Sequence, residues 1–252
     1  MSAVPARAAD APPSLSSMEL LVLSTPRPPT SLEDPLWNGA SVASVSQYHP
    51  KSSDHRPNVS CRVLYDADAL YLRFDVEEDK YIVAKNTKPN SPVYQDSCVE
   101  FFFAPASGYY INIETNAVGA SLVQLHTRPR EGECVSDESV EAISRSASLL
   151  RGRPAEPLAL EGPTSWRVGL TIPIALVAAL AGDLGLDAPA PAPGVAWSGN
   201  FYKCGDAVAD ADGASKAHWG AWSAIGDKLD FHQPDHFGKL VFSARSVPKV
   251  FG

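Results

Sequence analysis

Cysteine is scarce: the chain has four, Cys61, Cys98, Cys134 and Cys204, and no CxxC pair, which argues against a structural zinc knuckle. Cys61 and Cys98 fall in apolar strand patterns and read as buried thiols. Cys134 lies in a polar loop and Cys204 at the end of an aromatic strand, so the spacing leaves one disulfide open. Methionine is scarcer still: Met1 and Met18 both precede the main run of strand patterns, so a haem held through methionine would have no ligand. His232 and His236 flank Pro234 and cannot share one regular helical face, and no haem is expected. No Lys/Arg cluster occurs, and 21 basic against 29 acidic side chains give a formal charge of −8, which argues against a nucleic-acid partner. A neutral ligand or a divalent cation fits better.

Long apolar runs are also missing. The longest candidate, residues 172 to 181, contains Pro173 and then meets Gly182-Asp183, so no membrane span is expected. Residues 1 to 17 are rich in Ala, Pro and Ser without an apolar centre, which is not a secretory leader. The expectation is a cytoplasmic chain, or a secreted one whose leader has been removed. There is no GxSxG nucleophile motif and no internal repeat.

What the chain does contain is short alternating strands, in 252 residues that are 44% hydrophobic and 20% charged. Strand patterns recur at residues 42–48, 60–65, 69–76, 98–103, 109–116, 121–126, 166–172, 195–203 and 239–242, with a short one at 18–23. Turn residues separate them, as in Tyr65-Asp66-Ala67-Asp68-Ala69, after which Leu70, Leu72, Phe74 and Val76 alternate inward. This predicts an all-β fold, an antiparallel β-sandwich of jelly-roll-like type. One short helix is expected over residues 174–180, just after Pro173, and long decorating loops over 127–140, 182–194 and 205–217. The expected organisation is a Pro/Ser-rich lead-in over residues 1–30, one β-sandwich domain over 31–245 and a tail over 246–252.

The most informative stretch is Val93-Tyr94-Gln95-Asp96-Ser97-Cys98-Val99-Glu100-Phe101-Phe102-Phe103, an aromatic turn leading into an aromatic strand that carries an acid. Alternation sends Val99, Phe101 and Phe103 to one face and Cys98, Glu100 and Phe102 to the other. The turn Pro105-Ala106-Ser107-Gly108 then returns the chain as a hairpin, whose second strand puts Tyr110, Asn112, Glu114 and Asn116 on one face. If the polar faces coincide, Glu100 and Asn112, with Tyr110 beside them, form a surface suited to vicinal hydroxyls. A solvated sheet face carrying a structural acid is the plainer alternative. On either reading Glu100 is expected to be a surface acid whose replacement by alanine spares the fold.

Five segments in order now resemble a known family: Leu32-Glu33-Asp34-Pro35-Leu36-Trp37; Arg62 to Asp66 running on through Leu70-Tyr71-Leu72; Gln95 to Phe103; Tyr110-Ile111-Asn112; and Phe231-His232-Gln233-Pro234-Asp235-His236-Phe237-Gly238-Lys239-Leu240. Together they resemble carbohydrate-binding module family 9, a branch of the DOMON-like β-sandwiches. The resemblance implies a sandwich that binds the reducing ends of glucans and xylans between two tryptophans, carries calcium, does no catalysis and serves polysaccharide breakdown beside xylanases. It places the clamp on Tyr94 and Phe231, the binding glutamate on Glu100 and the binding asparagine on Asn112. Both clamp positions hold smaller rings than tryptophan, and the family's arginine position holds Tyr110, which would line the same site.

Of the five tryptophans, Trp37, Trp166, Trp197 and Trp222 read as core, whereas Trp219 offers an added stacking surface. Calcium would find hard oxygens in the run Asp75-Val76-Glu77-Glu78-Asp79, with Asp79 the position the resemblance singles out. The loop bearing Asp206, Asp210 and Asp212-Gly213 lacks EF-hand spacing, since Val208 stands where a ligand is needed. The sequence-stated ligand is thus an oligosaccharide or polysaccharide. The alternatives are a divergent DOMON-like domain with another ligand, haem or none, and a glycan hydrolase working through Glu100 and Glu114.

Overall fold

A computed structural model describes residues 18–150 and 155–248. It is a β-sandwich in which two layers are joined through one shared strand. The first layer runs in the order Glu131–Cys134, Ser121–Arg128, Tyr110–Asn116, Cys98–Ala104, Ala196–Cys204, Gly238–Ser246 and Glu19–Ser24. The second runs Asn58–Tyr65, Ala69–Glu78, Thr164–Pro173 and Ser144–Ala147, with Val42–Val45 on the far side of Asn58–Tyr65. Pairings are antiparallel except at Glu19–Ser24, which lies parallel to Gly238–Ser246 and, at Leu23 and Ser24, parallel to Asn58–Tyr65.

That strand corrects one boundary. It is the short strand expected at 18–23 within the lead-in segment, and its Leu20 and Val22 belong to the main core. The sandwich therefore begins before residue 31.

Alternation explains where the core lies. Val99, Phe101 and Phe103 point between the layers with Leu70, Leu72, Phe74, Val76, Trp166 and Trp197. Phe101 stacks on Phe201 with centroids 5.1 Å apart, and Phe103 on Trp197 at 5.6 Å. Each ring taken wholly from water contributes on the order of 2–3 kcal/mol, so this inner face holds the layers together. Trp37 and Trp222 are buried as well.

Turns follow local chemistry. Asp66 Oδ1 accepts from the backbone N–H groups of Asp68 and Ala69 at 2.9 and 3.0 Å, closing the acidic turn. Gly108 takes φ +97° in the hairpin turn, a conformation that side chains with a Cβ avoid. The expected helix forms at Ile174–Asp183 with Pro173 just before it, burying Val177, Leu180 and Ala181. The loop over 127–140 is more ordered than expected. It contains a strand, Glu131–Cys134, and starts a six-residue helix, Asp137–Ala142, capped by Ser136 Oγ accepting from Ser139 N–H.

Candidate functional site

The outer face of the first layer is not left to water. Cys98, Phe102, Tyr110, Leu122, Tyr202 and Cys204 lie there under a cover that includes Ile225, Phe231 and Phe237. Between sheet and cover opens a cleft of about 470 Å³, within the range of about 300–1,000 Å³ that small-ligand sites occupy.

Antiparallel register sets its floor. Glu100 stands directly opposite Glu114 on one side and Tyr202 on the other, and Cys98 directly opposite Cys204. Glu100 and Glu114 line the cleft but are only 2% and 4% exposed. Glu100 is therefore not the surface acid that alternation suggested, because the covering loops enclose the face that was expected to be open. Its replacement by alanine would open a cavity and remove the acceptor of the Cys204 thiol, which donates to Glu100 Oε1 at 2.8 Å. Glu100 Oε2 and Glu114 Oε2 are buried with no hydrogen-bond partner.

Burial sets the protonation of this floor. It raises Glu114 to about 8, and it raises Glu100 well above the usual carboxylate range, helped by Cys204 and by Glu114 itself. Both acids are thus held as neutral carboxyls near neutral pH, each with a proton to donate as well as an oxygen to accept. Burial also pushes Cys98 up to about 12 and Cys204 higher than an ordinary thiol.

Aromatic walls rise from three separate segments. Tyr94, half-buried, sits on a short 3-10 turn, Val93–Gln95, whose Tyr94 and Gln95 carbonyls accept from Asp206 and Ala207 N–H. Asp96 fixes this turn from below, accepting from Lys85 N–H, Asn86 N–H and Asn116 Nδ2 at 3.0, 3.0 and 2.8 Å. Trp219, also half-buried, donates Nε1–H to Asp206 Oδ1 at 2.6 Å. Phe231 stacks on Tyr202 with centroids 4.0 Å apart, and Tyr202 OH donates to the Phe231 carbonyl at 3.1 Å.

Of the residues expected at the site, Tyr94, Glu100, Trp219 and Phe231 line the cleft. Tyr110 and Asn112 are not among its lining residues. They stand one layer behind and position what does line it. Asn112 Nδ2 donates to Glu114 Oε1 at 2.8 Å, and its Oδ1 lies 2.9 Å from His126 Nε2. Tyr110 stacks on His126 at 4.5 Å and its hydroxyl lies 2.9 Å from His232 Nδ1. Burial lowers both histidines to about 4, so they are neutral near pH 7.

His126, His232, Arg130 and Asp230 also line the cleft and were not picked out by the sequence. Arg130 carries φ +60° in its turn and grips Asp230 Oδ1 through Nε at 2.9 Å. Burial opposes ionisation of Asp230, but the charged partners Arg130 and Lys228 and the His232 N–H outweigh it and bring the group down to about 2. A guanidinium thus reaches this rim from a hairpin turn, although the family's arginine position holds Tyr110. The strand pattern at residues 121–126 held the only hint of His126, and Arg130 sits in what read as a loop.

Asp79 lies elsewhere. Its Oδ1 is 2.9 Å from His55 Nδ1, and the neighbouring Glu78 is taken up by His55 Nε2 at 2.7 Å and Lys203 Nζ at 3.2 Å. Nitrogen partners of this kind are not the oxygen-rich shell that calcium takes.

The sequence profile of carbohydrate-binding family 9 matches residues 37–242. Among solved structures, a candidate carbohydrate-binding protein from Bacteroides uniformis ATCC 8492 superposes with a TM-score of 0.74 at 27% identity, covering 90% of this chain and 100% of that one. A carbohydrate binding module family 9 from Caldicellulosiruptor kristjanssonii in complex with cellotriose gives 0.59 at 17% identity, covering 93% and 98%. The same organism's module in complex with glucose gives 0.57 at 17%, covering 92% and 99%. No curated protein matches the chain.

Proposed function

This chain belongs to carbohydrate-binding family 9, and from that premise we propose that its cleft binds the reducing end of a neutral glucan- or xylan-type sugar without transforming it. The observation that carries the reading is the cleft itself, where the rings of Tyr94, Trp219 and Phe231 surround the buried, incompletely bonded carboxyls of Glu100 and Glu114. Rings offer CH-rich sugar faces an apolar surface, and carboxyls with unused oxygens offer hydroxyls their missing partners. A floor closed by strands suits a terminal unit, whose anomeric hydroxyl adds a donor that internal units lack. Tyr110 and Asn112 act as positioning residues through His232, His126 and Glu114.

The hydrolytic alternative needs one ionised carboxylate working with one acid. Burial instead raises both Glu100 and Glu114, which supports binding over bond cleavage. Tyr94→Ala and Trp219→Ala test the reading, since both side chains are half-buried and leave the inner core untouched. Each is expected to weaken cellobiose binding by about tenfold or more, the equivalent of about 1.4 kcal/mol, with the melting temperature nearly unchanged. Unaltered affinity in both variants would overturn it.

A further inference from the structure

The floor of the cleft holds a second kind of chemistry. Cys98 and Cys204 are register partners on adjacent antiparallel strands, and Glu100 lies two residues beyond Cys98 on the same face. One ligand atom from each of the three lies within 4.8 Å of the other two. The residues are 0%, 1% and 2% exposed for Cys98, Cys204 and Glu100. Glu100 Oε1 is engaged by the Cys204 thiol, while Oε2 has no partner at all.

A buried polar atom left unbonded is destabilising, and a cation among the three groups would remove that cost. Two sulfurs and one carboxylate select a thiophilic metal, whereas calcium and magnesium require oxygen throughout. Three protein ligands leave a fourth position of a tetrahedral zinc-type ion open. Cys204 and Glu100 both border the cleft, so the three groups lie at its floor.

We propose that Cys98, Glu100 and Cys204 hold one thiophilic divalent cation of the zinc class at the floor of the cleft. On binding, both S–H bonds and the Glu100 O–H bond break, two sulfur–metal bonds and one oxygen–metal bond form, and the three protons pass to solvent; nothing is oxidised or reduced. The cation needs no sugar, so the proposal stands apart from the carbohydrate reading although the two share Glu100.

The test is titration of the reduced, metal-free protein with cobalt(II), followed by zinc(II). The expected result is one cobalt per chain, with thiolate-to-cobalt charge-transfer absorption and tetrahedral d–d bands that zinc abolishes. Cys98→Ala and Cys204→Ala should each weaken binding more than about 100-fold, exceeding the usual loss from an outer partner. Cys134→Ala, at an exposed site, should change nothing. Absence of the charge-transfer band in the wild-type protein would overturn the proposal, and so would a band that disappears in Cys134→Ala. Sugar titration of the metal-free chain separates the two readings: cobalt binding without sugar binding sinks only the carbohydrate reading, and the reverse sinks only this one.

Discussion

Lys203 carries an ammonium group into an interior where it is 0% exposed, on the strand that also supplies Cys204. Its Nζ lies 3.2 Å from Glu78 Oε1, 2.8 Å from His218 Nε2 and 3.0 Å from the Cys204 carbonyl. Breaking a buried pair by removing one partner typically costs about 3–5 kcal/mol, because the other charge is stranded. Lys203→Met should therefore destabilise the protein by about that amount in urea denaturation, and Glu78→Gln added to it should recover part of the loss. A change below about 1 kcal/mol would contradict the pairing. Nothing in the sequence flags Lys203, since a lysine in an aromatic strand reads as outward-facing. Glu100 is legible because alternation and the family's segment order both point to it, and Tyr94 and Phe231 because the segment order does. Tyr110 and Asn112 share the right face of their strand, but alternation cannot tell a cleft wall from the layer supporting it.

Hairpins set the side chains of the cleft, and one close approach shows how. Gly132 pairs with His126 across the hairpin, and a Cβ at Gly132 would sit 2.2 Å from the His126 ring. Gly132→Ala must displace that ring and with it the contact to Asn112, so cellobiose affinity should fall about tenfold while the core layers persist. An NMR titration following the His126 ring would check it; an unmoved ring and unchanged affinity would contradict it. The strand Glu131–Cys134 that makes this contact is Glu-Gly-Glu-Cys, with no apolar alternation to reveal it. Longer strands such as Ala69–Glu78 and Ala196–Cys204 are legible to within a few residues because they are rich in apolar and aromatic residues, although burial on both faces hides the alternation. The strand Glu19–Ser24 was legible as a strand, but its parallel pairing and its place between two layers were not, since pairing across some 200 residues leaves no local pattern.

The whole molecule carries buried acids and buried bases whose proton demands oppose each other. Folded Glu114 keeps its proton to about pH 8, whereas an unfolded chain releases it near 4.5. The stability it contributes is full below about pH 4.5 and is lost as pH rises through about 8. His126 and His232 act in the other direction, since the unfolded chain binds their protons below about 6.5 and the folded one only near 4. Between roughly pH 4.5 and 6.5 the two histidines oppose the two raised acids, Glu114 and Glu100; above that the acids act alone, and Glu114 by itself should lower stability at up to about 1.4 kcal/mol per pH unit. Denaturation midpoints across this range should show the decline in the wild-type protein and a shallower one in Glu114→Gln. A midpoint that rises from pH 6.5 to 8 would contradict the burial of a neutral acid.

At this scale the central claim is that the enclosed face of the first layer receives the end of a sugar chain, and isothermal titration calorimetry tests it most directly. Purified protein, with calcium present, is titrated with cellobiose, xylobiose, glucose and reduced cellobiitol. Heat of binding with the disaccharides and none with cellobiitol is the predicted result. Silence across the set, or equal binding of cellobiose and cellobiitol, would contradict it.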